Sequence, residues 1–390
     1  MYYLDHCGST PLAKEVKESI VSLLDGDAFG NPSAVHHDVG QKANQLVHEA
    51  RSTIAKALGA NPSEIIFTSG ATEANNLVLW GFALRYRAQG CHIVFGSTEH
   101  KSIYDTALAL SDLEGVRVFE AQVHTSGELD LTALEAQLIK VQGRPTLVAV
   151  MHMNNEIPAR HPVEDVSRLC AKYGAFFHCD GVQGYVREKL DFSLGVYGSY
   201  VISTHKVYGP KGMGILALGN GPLSTRILPP YQGGQQESGL RPGTLNTLAI
   251  ASGAASLRLH EQSREKRIRH MAECAQVFIE TLAALSNSFK LTIPINAKVT
   301  GLVNFYLDGI DAPTLLASLS DVCINRGASC TGSGGEKFSH VPRALGLPLE
   351  VQANVLRASF GDGVTVHESI QAAKIIATKC AEIKGKALAE

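Results

Sequence analysis

Four places in the 390-residue sequence combine residue types that can do chemistry with neighbours that can position them. Residues 199–206 read as an apolar strand that ends at Lys206 and runs into a Gly- and Pro-rich turn. A lysine at the rim of a dry pocket loses its charge, and a neutral amine is what condensation with a carbonyl requires. A surface lysine at a strand end fits the same residues, and Lys211, between Pro210 and Gly212, is a rival placed for solvent exposure. Phe177-His178-Cys179-Asp180-Gly181-Val182-Gln183 puts a carboxylate at the carboxyl end of a buried strand, where open α/β sheets bind ligands. Asp180 there can hold a protonated pyridine-type ring nitrogen, and it can equally cap the next helix. Thr68-Ser69-Gly70-Ala71-Thr72-Glu73 turns from strand to helix through small residues, leaving backbone N–H groups, the helix dipole and the Thr72 hydroxyl for an anion. An ordinary N-cap reads the same way. Cys330 lies in residues 327–335, of which four are Gly and, apart from Cys330, none is an apolar residue larger than Ala. Such a segment cannot pack and should be mobile. An exposed thiol on it is a liability unless used, with an incidental loop cysteine as the alternative. Gly212-x-Gly214-x-x-Ala217 imitates a dinucleotide fingerprint but precedes a strand, which excludes that reading.

These residues need a scaffold, and the apolar periodicity supplies one. Short apolar runs at 65–68, 92–95, 116–119, 146–151, 175–178, 200–203 and 215–218 read as strands, mostly separated by helix-length segments such as 72–88 and 163–173. Alternation of this kind implies a mostly parallel sheet covered on both faces. Thr10-Pro11 reads as a helix start, followed by Leu12, Val16, Ile20 and Leu24. A second amphipathic helix over 43–58 closes at Gly59. The last third differs: one or two long helices over 249–286, a strand at 302–307, a short helix at 312–319, and a final helix opened by the Thr365/Glu368 capping box. This is a smaller α+β unit.

Composition removes several function classes. With 45% hydrophobic residues and a net charge of −2, the chain is neither disordered nor built to bind nucleic acid or anionic membranes. No 18-residue apolar stretch and no signal-type N-terminus are present, so a cytoplasmic protein is expected. The eight cysteines form no Cys-x-x-Cys pair, which argues against structural zinc, and they are too sparse for a disulfide scaffold.

Taken in order, several motifs resemble those of cysteine desulfurases, pyridoxal-phosphate (PLP) enzymes of the class-V aminotransferase family. They are residues 29–33 (FGNPS), 68–76, His100, Met153-Asn154-Asn155-Glu156-Ile157, His178 to Gln183, Thr204 to Gly212, residues 233–246 and Leu356 to Gly361. The resemblance covers nearly the whole chain. It implies an α/β protein of PLP-dependent transferase fold type I, with a mostly parallel large domain and a smaller α+β domain. The division it suggests is 1–14 packing with the small domain, 15–250 as the PLP-binding domain, and 251–390 carrying the cysteine loop at about 325–340.

The resemblance also implies roles. Lys206 would carry PLP, Asp180 would pair with its ring nitrogen, Gln183 with its ring oxygen, and His100 would stack on the ring and shuttle a proton. Asn155 would position cofactor or substrate. Ala71, Thr72, Ser203 and His205 would hold the phosphate, and Thr244 would reach the phosphate of a neighbouring subunit, making a homodimer. Arg357 and Asn31 would bind the carboxylate of L-cysteine, Lys206 would remove its Cα proton, and Cys330 would take its sulfur as a persulfide for an acceptor protein. No metal is implied. The acceptor could serve iron–sulfur cluster assembly, tRNA, cofactors or DNA sulfur modification. Asp5-His6-Cys7-Gly8-Ser9-Thr10-Pro11, Pro158, Val186-Arg187 and Arg241-Pro242-Gly243-Thr244 depart from the usual pattern. The last of these and the loop length keep a selenocysteine lyase open as an alternative, and a non-catalytic scaffold or sulfur carrier is the reading from another class. Cys7 is expected to be a packing residue.

Overall fold

The computed structural model describes residues 1–26, 29–296, 299–327 and 338–387. Its strands, in chain order, are β1 Tyr2–Tyr3, β2 Ile65–Thr68, β3 Cys91–Gly96, β4 Val116–Ala121, β5 Thr146–Ala149, β6 Phe176–Asp180, β7 Ser199–Ser203, β8 Gly214–Leu218, β9 Phe289–Leu291, β10 Leu302–Leu307, β11 Val322–Cys323, β12 Asn325–Arg326 and β13 Leu356–Ser359. Seven of them form one sheet in the order β2-β8-β7-β6-β5-β3-β4. All its neighbours are parallel except β8, which runs antiparallel between β2 and β7.

The apolar runs are unbroken because both faces of this sheet are covered. One face packs on the helices Asp38–Leu58, Leu131–Val141 and Val163–Tyr173, through residues such as Ile54, Leu134, Val166 and Phe177. The other face packs on Ala71–Tyr86 and Lys101–Leu110, through Leu77, Phe82, Ile103 and Phe95. The helix Asp38–Leu58 stops where Gly59 turns left-handed (φ 63), and a Cβ there would lie 2.5 Å from Asp191.

A second sheet, β12-β13-β10-β9, is antiparallel and carries its own core of Phe278, Phe305, Phe360 and Ile376. β1 pairs in parallel with β11, and Leu4 is buried in this second core, so the N-terminal segment crosses the molecule to reach it. One continuous 39-residue helix, Thr247–Leu285, serves both cores. Its first half contributes Ile250 and Leu257 to the sheet core, and its second half contributes Cys274 and Phe278 to the other. At 1.5 Å per residue it is about 58 Å long.

The expected helix start at Thr10-Pro11 is not used. The helix begins at Lys14, capped by Ala13 without a side-chain bond. The Thr10 hydroxyl instead donates to the His205 carbonyl (2.9 Å) and accepts the Tyr208 N–H (2.9 Å). A residue suited to capping a helix is spent on tying the N-terminal segment to the turn that holds Lys206.

Candidate active site

Strands β2, β6 and β7 end, and β8 begins, along one edge of the large sheet. Thr68 and Ser203 both sit opposite Gly214, and Asp180 sits opposite Val201. Side chains leaving those strand ends line a cavity of about 430 Å³. A larger groove, about 1230 Å³, lies at the opposite end of the sheet, and Arg87, Arg117, Lys140 and Arg144 line it. Arg87 follows one helix and Lys140 ends another, where cations complement the helix dipole. Cys91, His92 and Glu114 also line that groove, but burial pushes the Cys91 thiol up to about 11 and lowers the His92 pKa, so neither group is activated there.

Lys206 ends the short turn after β7. The turn is rigid: the Thr204 hydroxyl donates to the carbonyls of Pro210 (2.6 Å) and Met213 (3.1 Å). A Cβ on Gly209 would fall 2.4 Å from Ser256 Oγ. Tyr208 takes a left-handed backbone (φ 64), unusual for a bulky residue, and its hydroxyl accepts the Asp362 N–H at 2.6 Å. The Lys206 ammonium donates to the carbonyls of Cys7 (2.7 Å) and Gly8 (2.6 Å). Burial pushes its pKa down to about 8, with Arg357 acting in the same direction. About one tenth of the amine is therefore neutral at pH 7, far more than for an exposed lysine.

Asp180 accepts the Val182 N–H on one oxygen (3.1 Å) and the Asn75 amide on the other (2.8 Å). Gln183, in the first turn of Val182–Arg187, has its side-chain Oε1 held by the Arg187 guanidinium at 2.8 Å. His100 caps the helix Lys101–Leu110, its Nδ1 accepting the Ser102 N–H at 3.1 Å. Burial lowers its pKa. At the start of Ala71–Tyr86, Gly70, Ala71 and Thr72 line the cavity beside Ser203 and His205. The first N–H groups of that helix have no intrahelical acceptor, which makes an anion site. The strand-to-helix turn leaves fewer free N–H groups than its sequence suggests, because Glu73 takes the Ser69 N–H at 2.6 Å. Burial would raise the Glu73 pKa, but Arg241, Ser69 and Tyr231 together hold it at about 2. Burial, reinforced by Lys206 and Lys211, lowers the His205 pKa to about 3, so this histidine is neutral.

Arg357 comes from β13 and is 1% exposed. It pairs with Asp5 at 2.5 Å and donates to the carbonyls of Asn155 (2.8 Å) and Gly327 (3.1 Å). The second sheet thus brings a guanidinium to a cavity that the first sheet's strand ends otherwise build. A lysine with a lowered pKa, a buried carboxylate, a helix N-terminus and a buried arginine now face one space.

Three comparisons bear on this arrangement. The aminotransferase class-V family profile matches residues 2–371. The chain is 32% identical over 382 residues to a protein named cysteine desulfurase IscS from Rickettsia bellii (strain OSU 85-389), covering 98% of this chain and 92% of that one. The chain belongs to the class-V aminotransferase family. A solved structure described as a NifS-like protein superposes with a TM-score of 0.86 at 28% identity, covering 97% of this chain and 99% of that one. A structure of SspA in complex with cysteine does so at 0.77 and 29%, covering 93% and 99%.

In this class-V aminotransferase the cavity brings together Ala71, Thr72, His100, Asn155, Asp180, Gln183, Ser203, His205, Lys206 and Arg357. Two residues named from the sequence lie elsewhere. Asn31 is exposed and does not line the cavity; its side-chain oxygen accepts the Ser33 N–H at 3.0 Å, so it shapes its own turn. Thr244 is also exposed, and it lines a separate pocket of about 150 Å³. That pocket shares Ser69 and Gly212 with the main cavity. Cys330 lies outside the described residues. Lys211, the rival lysine, is exposed at the cavity rim.

Several lining or supporting groups were given no site role from the sequence. Cys7 is 5% exposed and packs with Met153, Val299 and Leu302, yet it also lines the cavity, with Sγ 3.5 Å from Gln183 Oε1. Glu156 lines it too, with Oε2 buried and unpaired among the described residues. The Asp5–Arg357 pair joins residues 352 positions apart, and no local pattern announces it. His178 and Asn75 lay inside quoted motifs, but only the fold shows that they touch Asp180's surroundings.

Proposed function

We propose that this protein is a PLP-dependent cysteine desulfurase that yields alanine and a persulfide on Cys330. The observation that carries the reading is Lys206: a buried amine with its pKa lowered to about 8, sharing one cavity with Asp180 and Arg357. The names of the relatives support it.

The donor set fits PLP. Lys206 is the covalent anchor, and Asp180, already fixed by two hydrogen bonds, is the acceptor for a ring N–H. The helix N-terminus at Ala71 and Thr72, with Ser203 and His205, is the anion cradle. Its tightness is visible at Gly214, where a Cβ would lie 2.5 Å from the Gly70 backbone and from Thr68 Oγ1. Bound there, PLP supplies a sink for the electron pair left when the substrate Cα–H bond breaks.

The chain's residues do the rest. Arg357 and Asn155 orient the cysteine carboxylate, for which the guanidinium fork is suited. The neutral Lys206 amine accepts the Cα proton. The Cys330 thiolate attacks the substrate sulfur: an S–S bond forms, the Cβ–S bond breaks, and its electron pair stays with carbon, which is then protonated. The sum is cysteine plus enzyme thiol to alanine plus enzyme persulfide, and no outside reductant enters. A sulfur-acceptor protein then takes the persulfide sulfur. A homodimer, with Thr244 reaching the partner's phosphate, is consistent with Thr244 being exposed beside the cavity mouth and with the exposed apolar residues Val21, Leu24 and Phe29.

No helix among the described residues is long and apolar enough to cross a membrane. The test supplies cysteine and measures alanine together with alkylation-trapped persulfide in wild type, Lys206→Ala and Cys330→Ala. Wild type should form both products, Lys206→Ala neither, and Cys330→Ala no persulfide. Absence of alanine from wild type refutes the proposal.

A further inference from the structure

Behind the cavity wall, buried side chains from four elements form one continuous hydrogen-bonded chain. Asn75 and His178 are fully buried, and Ser199 and Ser102 nearly so. Asn75 Nδ2 lies 2.8 Å from Asp180 Oδ2 and 2.8 Å from Ser102 Oγ. Its Oδ1 lies 3.0 Å from His178 Nε2, and His178 Nδ1 lies 2.8 Å from Ser199 Oγ.

The direction of every bond follows from the chemistry of the groups. A carboxylate oxygen only accepts, so the Asn75 atom facing Asp180 is the amide NH2. Asn75 Oδ1 then faces His178 and can only accept, which places the His178 proton on Nε2. Its Nδ1 accepts from the Ser199 hydroxyl, and burial, which lowers the His178 pKa to about 3, keeps the ring neutral. At the other end, His100 Nδ1 accepts the Ser102 backbone N–H at 3.1 Å and so carries no proton, which makes the Ser102 hydroxyl, 2.8 Å away, a second donor to it. With two donors aimed at Nδ1, the His100 proton is on Nε2.

We propose that Asn75 is a positioning residue whose single carboxamide both fixes the Asp180 carboxylate and, through Ser102, locks His100 as a neutral Nε2–H donor toward the cavity. The purpose assigned to it rests on the PLP reading; the tautomer does not. A further proton could enter His100 only at Nδ1, where two donors already point. Its role is therefore to donate a hydrogen bond, in place of the proton shuttling that the family resemblance implies. Among the charged groups that face the ring, Asp180 and Asp105 favour its protonation, while Lys206 and Lys101 oppose it.

The test labels histidine with 15N in the apoprotein and follows the His100 nitrogens from pH 4 to 9 in wild type, Ser102→Ala and Asn75→Ala, with PLP affinity by titration alongside. Wild type should show an unprotonated Nδ1, a protonated Nε2 and a titration midpoint below that of an exposed histidine. Ser102→Ala removes one of the two donors and should raise the His100 midpoint by about one pH unit. Asn75→Ala should raise it likewise and weaken PLP binding about tenfold, the equivalent of one lost hydrogen bond to a charged group. A wild-type His100 protonated on Nδ1, or a midpoint unmoved in Ser102→Ala, overturns the proposal, and Ser102→Ala decides it even if Asn75→Ala does not fold. If wild type binds no PLP, the cofactor reading fails while the tautomer measurement still decides this one.

Discussion

The lowered pKa of Lys206 makes a quantitative claim about how the apoprotein captures its cofactor. Only the neutral amine attacks the aldehyde of PLP. An exposed lysine, with a pKa of 10.5, is almost wholly charged at neutral pH; burial brings Lys206 to about 8. With that value the neutral fraction is about one tenth at pH 7 and about nine tenths at pH 9. The capture rate should then rise about tenfold between pH 7 and 9 and level off. An ordinary lysine would give about a hundredfold rise over the same interval and keep climbing past pH 10. Stopped-flow absorbance of the bound cofactor, with apoprotein mixed against PLP, separates the two curves, and Lys206→Ala identifies the covalent phase. The environment can also be perturbed. Asp5 raises the Lys206 pKa by its charge and Arg357 lowers it. Asp5→Asn should therefore move the midpoint to lower pH, and Arg357→Met should move it to higher pH. A rate that continues to rise tenfold per pH unit beyond pH 9, or an upward shift in Asp5→Asn, refutes the reasoning.

Three further outcomes are expected. Asp5→Asn leaves Arg357 in a buried position with a weaker partner, so chemical denaturation should show a loss of about 1–3 kcal/mol, less than a fully buried pair would give because Asp5 is partly exposed; an unchanged midpoint would mean that the pair contributes nothing net. Glu73 has its pKa depressed to about 2, so its contribution is present above about pH 4.5 and lost as pH falls toward 2. The stability gap between wild type and Glu73→Gln should be about 2 kcal/mol at pH 6, discounted for partial exposure, and should close on acidification; a gap that widens in acid contradicts the assignment. Gly214→Ala drives a methyl into the Gly70 backbone and Thr68, and should cost about 1–3 kcal/mol and weaken PLP binding in an equilibrium titration.

Much of the fold was legible because its signals are local. The helix Val163–Tyr173 and the strands Ile65–Thr68 and Leu302–Leu307 stand where the apolar spacing puts them, and the Thr365/Glu368 box caps the last helix as its spacing implies. The start of the first helix was misplaced because Thr10 had a stronger use. Its hydroxyl meets the Lys206 turn from 195 residues away, and no local pattern records that. The same limit applies at the site. Lys206, Asp180 and the turn at Gly70 were visible as strand-end motifs. The Asp5–Arg357 pair, the Cys7 and Gly8 carbonyls on Lys206, and the Asn75 relay became visible only when separate segments met.

By itself, then, the sequence determined which residues are chemically capable and that a doubly covered, mostly parallel sheet would hold them, because residue type and apolar period are properties of neighbouring positions. Tertiary structure alone decided how those groups are tuned. The burial that brings Lys206 to about pKa 8, the two donors that set the His100 tautomer, and the arginine delivered from the second sheet each depend on desolvation or on a hydrogen-bond partner remote in the chain. Protonation states are set by what surrounds a group in three dimensions, and a sequence lists only what adjoins it in one.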